Sequence, residues 1–153
     1  MEHAFRGPEK IRTRLGSFDV EEVAGADPER FAEIAAETPA IHRFPGSMAA
    51  RMQEVARIVV DQYGGETCRI WTEAKDGKDL LKRITALPGF GKQKAQIFVA
   101  LLAKQRGVRP EGWESVCGDY ALEGYRSVAD VVGPDSLQKV RDFKKAKKAA
   151  AKG

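Results

Sequence analysis

Apolar residues recur along this chain at intervals of three and four, the spacing that lines one face of an α-helix, and no run alternates convincingly with the period of two of a half-buried strand. Pro8 predicts a short helix through Ile11 and Leu15, stopped by Gly16. Asp27-Pro28-Glu29 reads as an N-cap, a proline at the first helical position and a first-turn acid; Phe31, Ile34 and Ala35 form the apolar face, and Pro39 ends the helix. Ser47 is the expected cap of the clearest helix, which carries Met48, Met52, Val55, Val59 and Tyr63 and stops at Gly64-Gly65. A helix over about 79–87 carries Leu80, Leu81, Ile84 and Leu87. The next, over 92–106, turns Ala95, Phe98, Val99, Leu102 and Ala103 inward and stops at Gly107. Residues 107–127 mix Gly, Pro, Trp and Tyr without a period and read as an ordered loop. Pro134-Asp135-Ser136 opens a last helix on Leu137, Val140 and Phe143, and the lysine-rich end from Lys144 is expected to fray. The fold class is all-α, an orthogonal helical domain over 1–143 with a basic tail over 144–153.

Charge sharpens this picture. The chain of 153 residues has a net charge of +4, unevenly spread. Between Lys82 and Arg109 lie seven basic residues and no acid, and between Leu137 and Gly153 seven basic residues and only Asp142. The rest of the chain is acidic, with 12 basic and 21 acidic groups. A surface polarised in this way attracts polyanions to one side and repels them from another. Other classes are set aside quickly. No apolar run approaches a membrane span, and the first six residues have neither the basic lead nor the apolar core of a signal peptide, so the expected location is cytoplasmic, nucleoid-associated, with no membrane partner. Cys68 and Cys117 fit no zinc or haem spacing and are too few for an iron–sulfur cluster; two reduced thiols are expected.

The candidate chemistry lies where the first basic segment crosses a turn, Ile84-Thr85-Ala86-Leu87-Pro88-Gly89-Phe90-Gly91-Lys92-Gln93-Lys94-Ala95-Gln96-Ile97-Phe98. Pro88 stops one helix. Gly89 and Gly91 let the chain bend sharply and remove the side chains that would hold a partner away. A second helix starts at once, so its first-turn N–H groups and the positive end of its dipole are available to an anion. Gly89, Phe90, Gly91, Lys92, Gln93 and Lys94 are the expected DNA-binding residues. Small Ala95 permits close helix packing, and Ile97 and Phe98 are expected to anchor the second helix in the core. Contacts of this kind hold a sugar–phosphate backbone without reading sequence, and their strength falls with salt. A nucleotide-binding P-loop is excluded, since Gly-Lys-Ser/Thr is absent and no strand precedes the glycines. An ordinary αα-hairpin is the plain alternative.

Leu87 to Ala95 resembles, almost residue for residue, the hairpin of the helix-hairpin-helix (HhH-GPD) DNA glycosylase superfamily, the endonuclease III-like base excision repair proteins. Phe44-Pro45-Gly46-Ser47-Met48-Ala49-Ala50 and the helix to Gly65 fit the helix before that hairpin, and the likeness extends over about residues 1–130. The pattern is similar to small actinobacterial glycosylase-like members. The resemblance implies an all-α fold with the hairpin at 79–106, a double-stranded DNA partner, a monomer, and cleavage of the N-glycosidic bond of a flipped damaged or mismatched base. It implies a catalytic carboxylate roughly eighteen to twenty residues beyond the second-helix site. Glu111 falls in that register, as a Glu where the family has an Asp, and Asp119 in the same loop is the alternative. It also implies a sodium or potassium ion held by the carbonyls of Thr85, Leu87 and Phe90.

The sequence departs from the family in three places. Gln93 stands where bifunctional members carry lysine, and an amide forms no Schiff base, so a monofunctional enzyme without efficient AP-lyase activity is expected. The cluster cysteines are missing, so no iron–sulfur cofactor is expected. The chain also begins where a family member is well inside its helical core, which implies an N-terminally truncated or shortened relative. A non-catalytic helix-hairpin-helix DNA-binding module is the alternative to an enzyme, and a protein-interaction module a third reading. Trp71, Trp113, Tyr120 and Tyr125 are candidates either to stack on a base or to pack, and His42-Arg43-Phe44 is a candidate phosphate contact.

Overall fold

The structure, a computed structural model, describes residues 2–151; the expectations about Met1 and about the last two residues of the tail lie outside that range. The fold is all-α, and no strand occurs among the described residues. The helices are α1 (Glu2–Phe5), α2 (Gly7–Leu15), α3 (Val20–Gly25), α4 (Pro28–Ala36), α5 (Pro45–Tyr63), α6 (Arg69–Thr72), α7 (Gly77–Thr85), α8 (Lys92–Arg106), α9 (Trp113–Cys117) and α10 (Pro134–Ala150), with 3-10 turns at Gly118–Tyr120 and Val128–Asp130. No helix among the described residues is long and apolar enough to cross a membrane. By their contacts the helices form two units, residues 1–69 and 70–153.

In the first unit α3 and α4 pack on α5 around buried Ile11, Val23, Phe31, Ile34 and Ala35. The caps at Asp27 and Pro28 are as expected: the Asp27 carboxylate accepts the Arg30 N–H at 2.9 Å. Two details differ from the sequence reading. α3 was not foreseen. Asp19 starts it by accepting the N–H groups of Glu21 and Glu22, and six residues are too few to display a period. α5 opens at Pro45 rather than at a Ser47 cap, and the Ser47 hydroxyl instead donates to the Phe44 carbonyl at 3.5 Å. Its buried face is also rotated, onto Ala49, Gln53, Ala56, Val59 and Tyr63, leaving Met48, Met52 and Val55 half-buried. Gln53 is inside because its amide nitrogen donates to the carbonyls of Val23 (3.2 Å) and Ala26 (2.8 Å), satisfying the end of α3.

The second unit is built around α8, whose Ala95, Val99, Ala100, Leu102 and Ala103 are buried. Leu80 and Ile84 of α7, Cys117 of α9, Ala129, and Leu137 and Val140 of α10 are buried with them. The segment expected to be loop contains α9 and the 3-10 turn at Gly118–Tyr120, pinned by polar side chains of α8. Gln96 donates to the Val116 carbonyl at 2.8 Å, and Gln105 to those of Ala129 (2.9 Å) and Val131 (3.1 Å). The Lys104 ammonium donates to the Leu122 carbonyl (2.7 Å) and to Asp130 (2.6 Å), a pair largely withdrawn from solvent. The other Asp130 oxygen accepts the N–H groups of Arg126 and Ser127, so one carboxylate organises the whole bend. α10 continues past Lys144 to Ala150, where fraying was expected.

Candidate nucleic-acid interface

The turn between α7 and α8 is tightly wound. The Ala86 N–H donates to the Lys82 carbonyl, Leu87 to Ile84 and Phe90 to Leu87, all at 3.0–3.1 Å. Gly89 has φ +83°, a region in which a side chain is strained. Leu87 is buried beneath the turn, and the Phe90 ring meets Phe98 edge-on at 5.7 Å. Ile97 and Phe98 are only half-buried, so the anchoring expected of them falls instead to Ala95 and Val99.

Gly89, Gly91, Lys92, Gln93 and Lys94 are exposed, and Phe90 is half-buried. Gly91 is the N-cap of α8, no side chain caps the helix, and a Cβ built on Gly91 meets nothing within 4 Å. The first backbone bond of the helix start is Ala95 N–H to the Gly91 carbonyl. The preceding amides therefore open onto the exposed side of the turn with the dipole behind them. Lys94 folds back, its ammonium 3.3 Å from the Gly89 carbonyl. That ammonium is the positive charge brought to the turn's carbonyls. Of the carbonyls expected to hold a cation, that of Leu87 already accepts the Phe90 N–H, keeping one lone pair, while the Thr85 hydroxyl donates to Leu81.

Gln93 leads from this turn into an open cavity of about 520 Å³. The Gln93 amide donates to the Tyr120 hydroxyl at 2.8 Å, and Ile97, Asp119 and Tyr120 continue the wall. Phe143 and lysines of α10 close the other side, with the Arg126 guanidinium 5.2 Å over the Phe143 ring. Asp119 is held by Lys147 at 3.1 Å in a solvated pair. The two carboxylate candidates therefore stand in different places. Asp119 shares the cavity with Gln93. Glu111 does not line it: its carbonyl accepts the Gly77 N–H at 2.8 Å and its side chain is exposed. A Cβ on Gly77 would lie 2.8 Å from Trp113 backbone atoms, so the turn around Glu111 is clasped against the start of α7.

The other candidates separate as well. Tyr120 lines the cavity and Trp113 is buried. Trp71 is half-buried, and Tyr125 is exposed with the Lys139 ammonium 5.0 Å over its ring. Asp135 bonds to Lys139, and this bond, followed by that of Tyr125, raises the Lys139 pKa. In the first unit the His42 ring nitrogen accepts the Phe44 N–H, and Arg43 stacks on Phe44 at 5.3 Å. Sequence reasoning did not bring Arg126, Phe143 and Lys147 into one cavity with Gln93. The helical spacing of Gln93, Gln96 and Lys104 signals only that this side of α8 is held by polar bonds, which go to Tyr120, Val116, Leu122 and Asp130. Among the described residues no group of three His, Cys, Asp or Glu side chains is placed to hold a metal ion. Comparisons with family models, curated proteins and solved structures gave no match, so the likeness to a known hairpin rests on the residues of the turn.

Proposed function

We propose that this protein binds double-stranded DNA through the sugar–phosphate backbone at the turn 86–94, as a helix-hairpin-helix motif does. The observation that carries the reading is the exposed start of α8: uncapped amides, open space at Gly91, and three exposed polar side chains in succession. Gly91→Val is the informative variant. Its φ of −72° suits any residue and a Cβ there meets nothing within 4 Å, so the fold is expected to be retained, checked by circular dichroism, while close approach of a strand is blocked. Fluorescence anisotropy with a labelled duplex is expected to read a loss of about tenfold or more. Unchanged affinity would remove the turn from the interface. On the same reading the carbonyls of Thr85, Leu87 and Phe90 hold a sodium or potassium ion, and affinity then drops when choline replaces both at constant ionic strength.

The enzymatic extension is a monofunctional DNA N-glycosylase in base excision repair, with Asp119 rather than Glu111 as the carboxylate. It is supported by the shared cavity of Asp119 and Gln93. A carboxylate there would stabilise the oxocarbenium-like sugar and orient water, and Gln93 offers no amine for a lyase step. Base release from a lesion-bearing duplex, abolished by Asp119→Asn, is the expected result. Binding without product across a broad lesion panel would leave the non-catalytic DNA-binding module.

A further inference from the structure

The cavity beside Gln93 carries more positive charge than the backbone-binding turn requires, and that charge is directed. On α10, Leu137 and Val140 are buried, and the same face continues, at helical spacing, to Lys144, Lys147, Lys148 and Ala151. Where the apolar stripe ends, lysines take its place and face a concavity. Arg126 joins them, and Asp119, the one acid among the described residues of the lining, is already paired with Lys147. Arg126, Lys144 and Lys148 are thus left facing a space without a compensating carboxylate among the described residues of its wall. Ile97 and the Tyr120 ring line the cavity on the side of Gln93, while the Phe143 ring lies beneath the Arg126 guanidinium. Gln93 gives one N–H to Tyr120 and retains its other N–H and its carbonyl oxygen; the Tyr120 hydroxyl retains its proton.

We propose that this cavity is a binding site for a nucleoside monophosphate. The phosphomonoester, with a charge of about −1.5 to −2 at neutral pH, meets Lys144, Lys148 and Arg126. The base lies against Tyr120 and Ile97, and Gln93 reads an edge of it. The volume of about 520 Å³ falls among sites for molecules of this size, which run from ~300 to ~1,000 Å³. A dianion also competes for Lys147 and would draw it from Asp119. The same chemistry comes from two sources, a free nucleotide or the phosphorylated end of a strand. The site does not depend on the turn's binding a duplex.

Isothermal titration of the full chain with adenosine and thymidine 5′-monophosphates tests this, with adenosine and inorganic phosphate as separate probes. Each nucleotide is expected to bind about tenfold tighter than either fragment, because both halves of the cavity contribute. Lys144→Gln with Lys148→Gln is expected to cost about tenfold, and Gly91→Val to change nucleotide affinity less than twofold, which separates this site from the turn. A 5′-phosphorylated oligonucleotide that displaces the mononucleotide better than its 5′-hydroxyl twin assigns the site to strand ends; equal displacement assigns it to free nucleotide. Absence of saturable nucleotide binding at millimolar concentration overturns the proposal. So does phosphate alone binding as tightly as the nucleotide, or a double lysine variant that binds normally.

Discussion

Replacing Gly77 by alanine tests the clasp that carries Glu111 away from the cavity. Alanine in a helix interior is favoured over glycine by about 1 kcal/mol, and Gly77 is the first residue of α7, so propensity alone predicts a gain of at most that size. Here the added Cβ would lie 2.8 Å from both the Cα and the N of Trp113 and 2.9 Å from the Gly112 carbonyl carbon. These are backbone atoms in a tight turn and have no rotamer with which to retreat. The Gly77 N–H to Glu111 bond of 2.8 Å lengthens if they part. Overpacking of this kind typically costs about 1–3 kcal/mol, and the lost bond adds about 1 kcal/mol. Against the gain in propensity, a net destabilisation of roughly 1–3 kcal/mol is expected. Gly25→Ala is the control, since a Cβ there meets nothing within 4 Å. Urea titrations followed by helical circular dichroism read both. If Gly77→Ala is as stable as the parent, the turn 110–113 is not packed on α7 and the placement of Glu111 fails.

Other outcomes follow from the same geometry. Asp130→Ala leaves Lys104 with the Leu122 carbonyl but no counter-charge and two backbone N–H groups without their acceptor, and about 3 kcal/mol is expected to be lost in denaturant titration, against less than about 1 kcal/mol for Glu9→Ala in the exposed Arg12 pair. The Lys75 N–H and then Arg83 hold the Asp79 carboxyl below its ordinary value, against some burial. That contribution is present above the unfolded value near 3.8 and disappears as pH falls below it; Asp79→Asn should flatten this part of an acid titration of stability. Burial pushes the Cys117 thiol up to about 11. Its peptide should stay unmodified by iodoacetamide at pH 8 in the native chain and react in denaturant. A folded value raised from 9.0 to about 11 also means that its share of stability is whole below 9.0 and lost as pH rises through about 11.

What was readable beforehand is what local chemistry determines. α8 was legible to the residue because Gly91 and Gly107 bracket an uninterrupted helical run. α4 was legible because Asp27 and Pro28 form a cap and a start. α5 misled at its head, since Pro45 rather than Ser47 opens it, and on its face, since a buried glutamine and two alanines carry little hydrophobic signal. The exposed turn was readable because Pro88 stops a helix and Gly89 can take the positive φ that the bend requires. The cavity was not, because it gathers Gln93, the segment 119–126 and the end of α10 from distant stretches of sequence. Of the two alternative carboxylates, Glu111 lies outside the cavity lining because its turn is bonded to the start of α7, while Asp119 lies within it.

The central claim, that the start of α8 receives phosphate oxygens, is tested most directly by the salt dependence of duplex binding in the parent and in a Lys92→Gln, Lys94→Gln double variant. Each phosphate contact adds about 0.9 to the steepness with which log affinity falls against log salt concentration, so the variant's slope should be shallower by about 2. Parallel lines, or a parent whose affinity does not depend on salt, would contradict it.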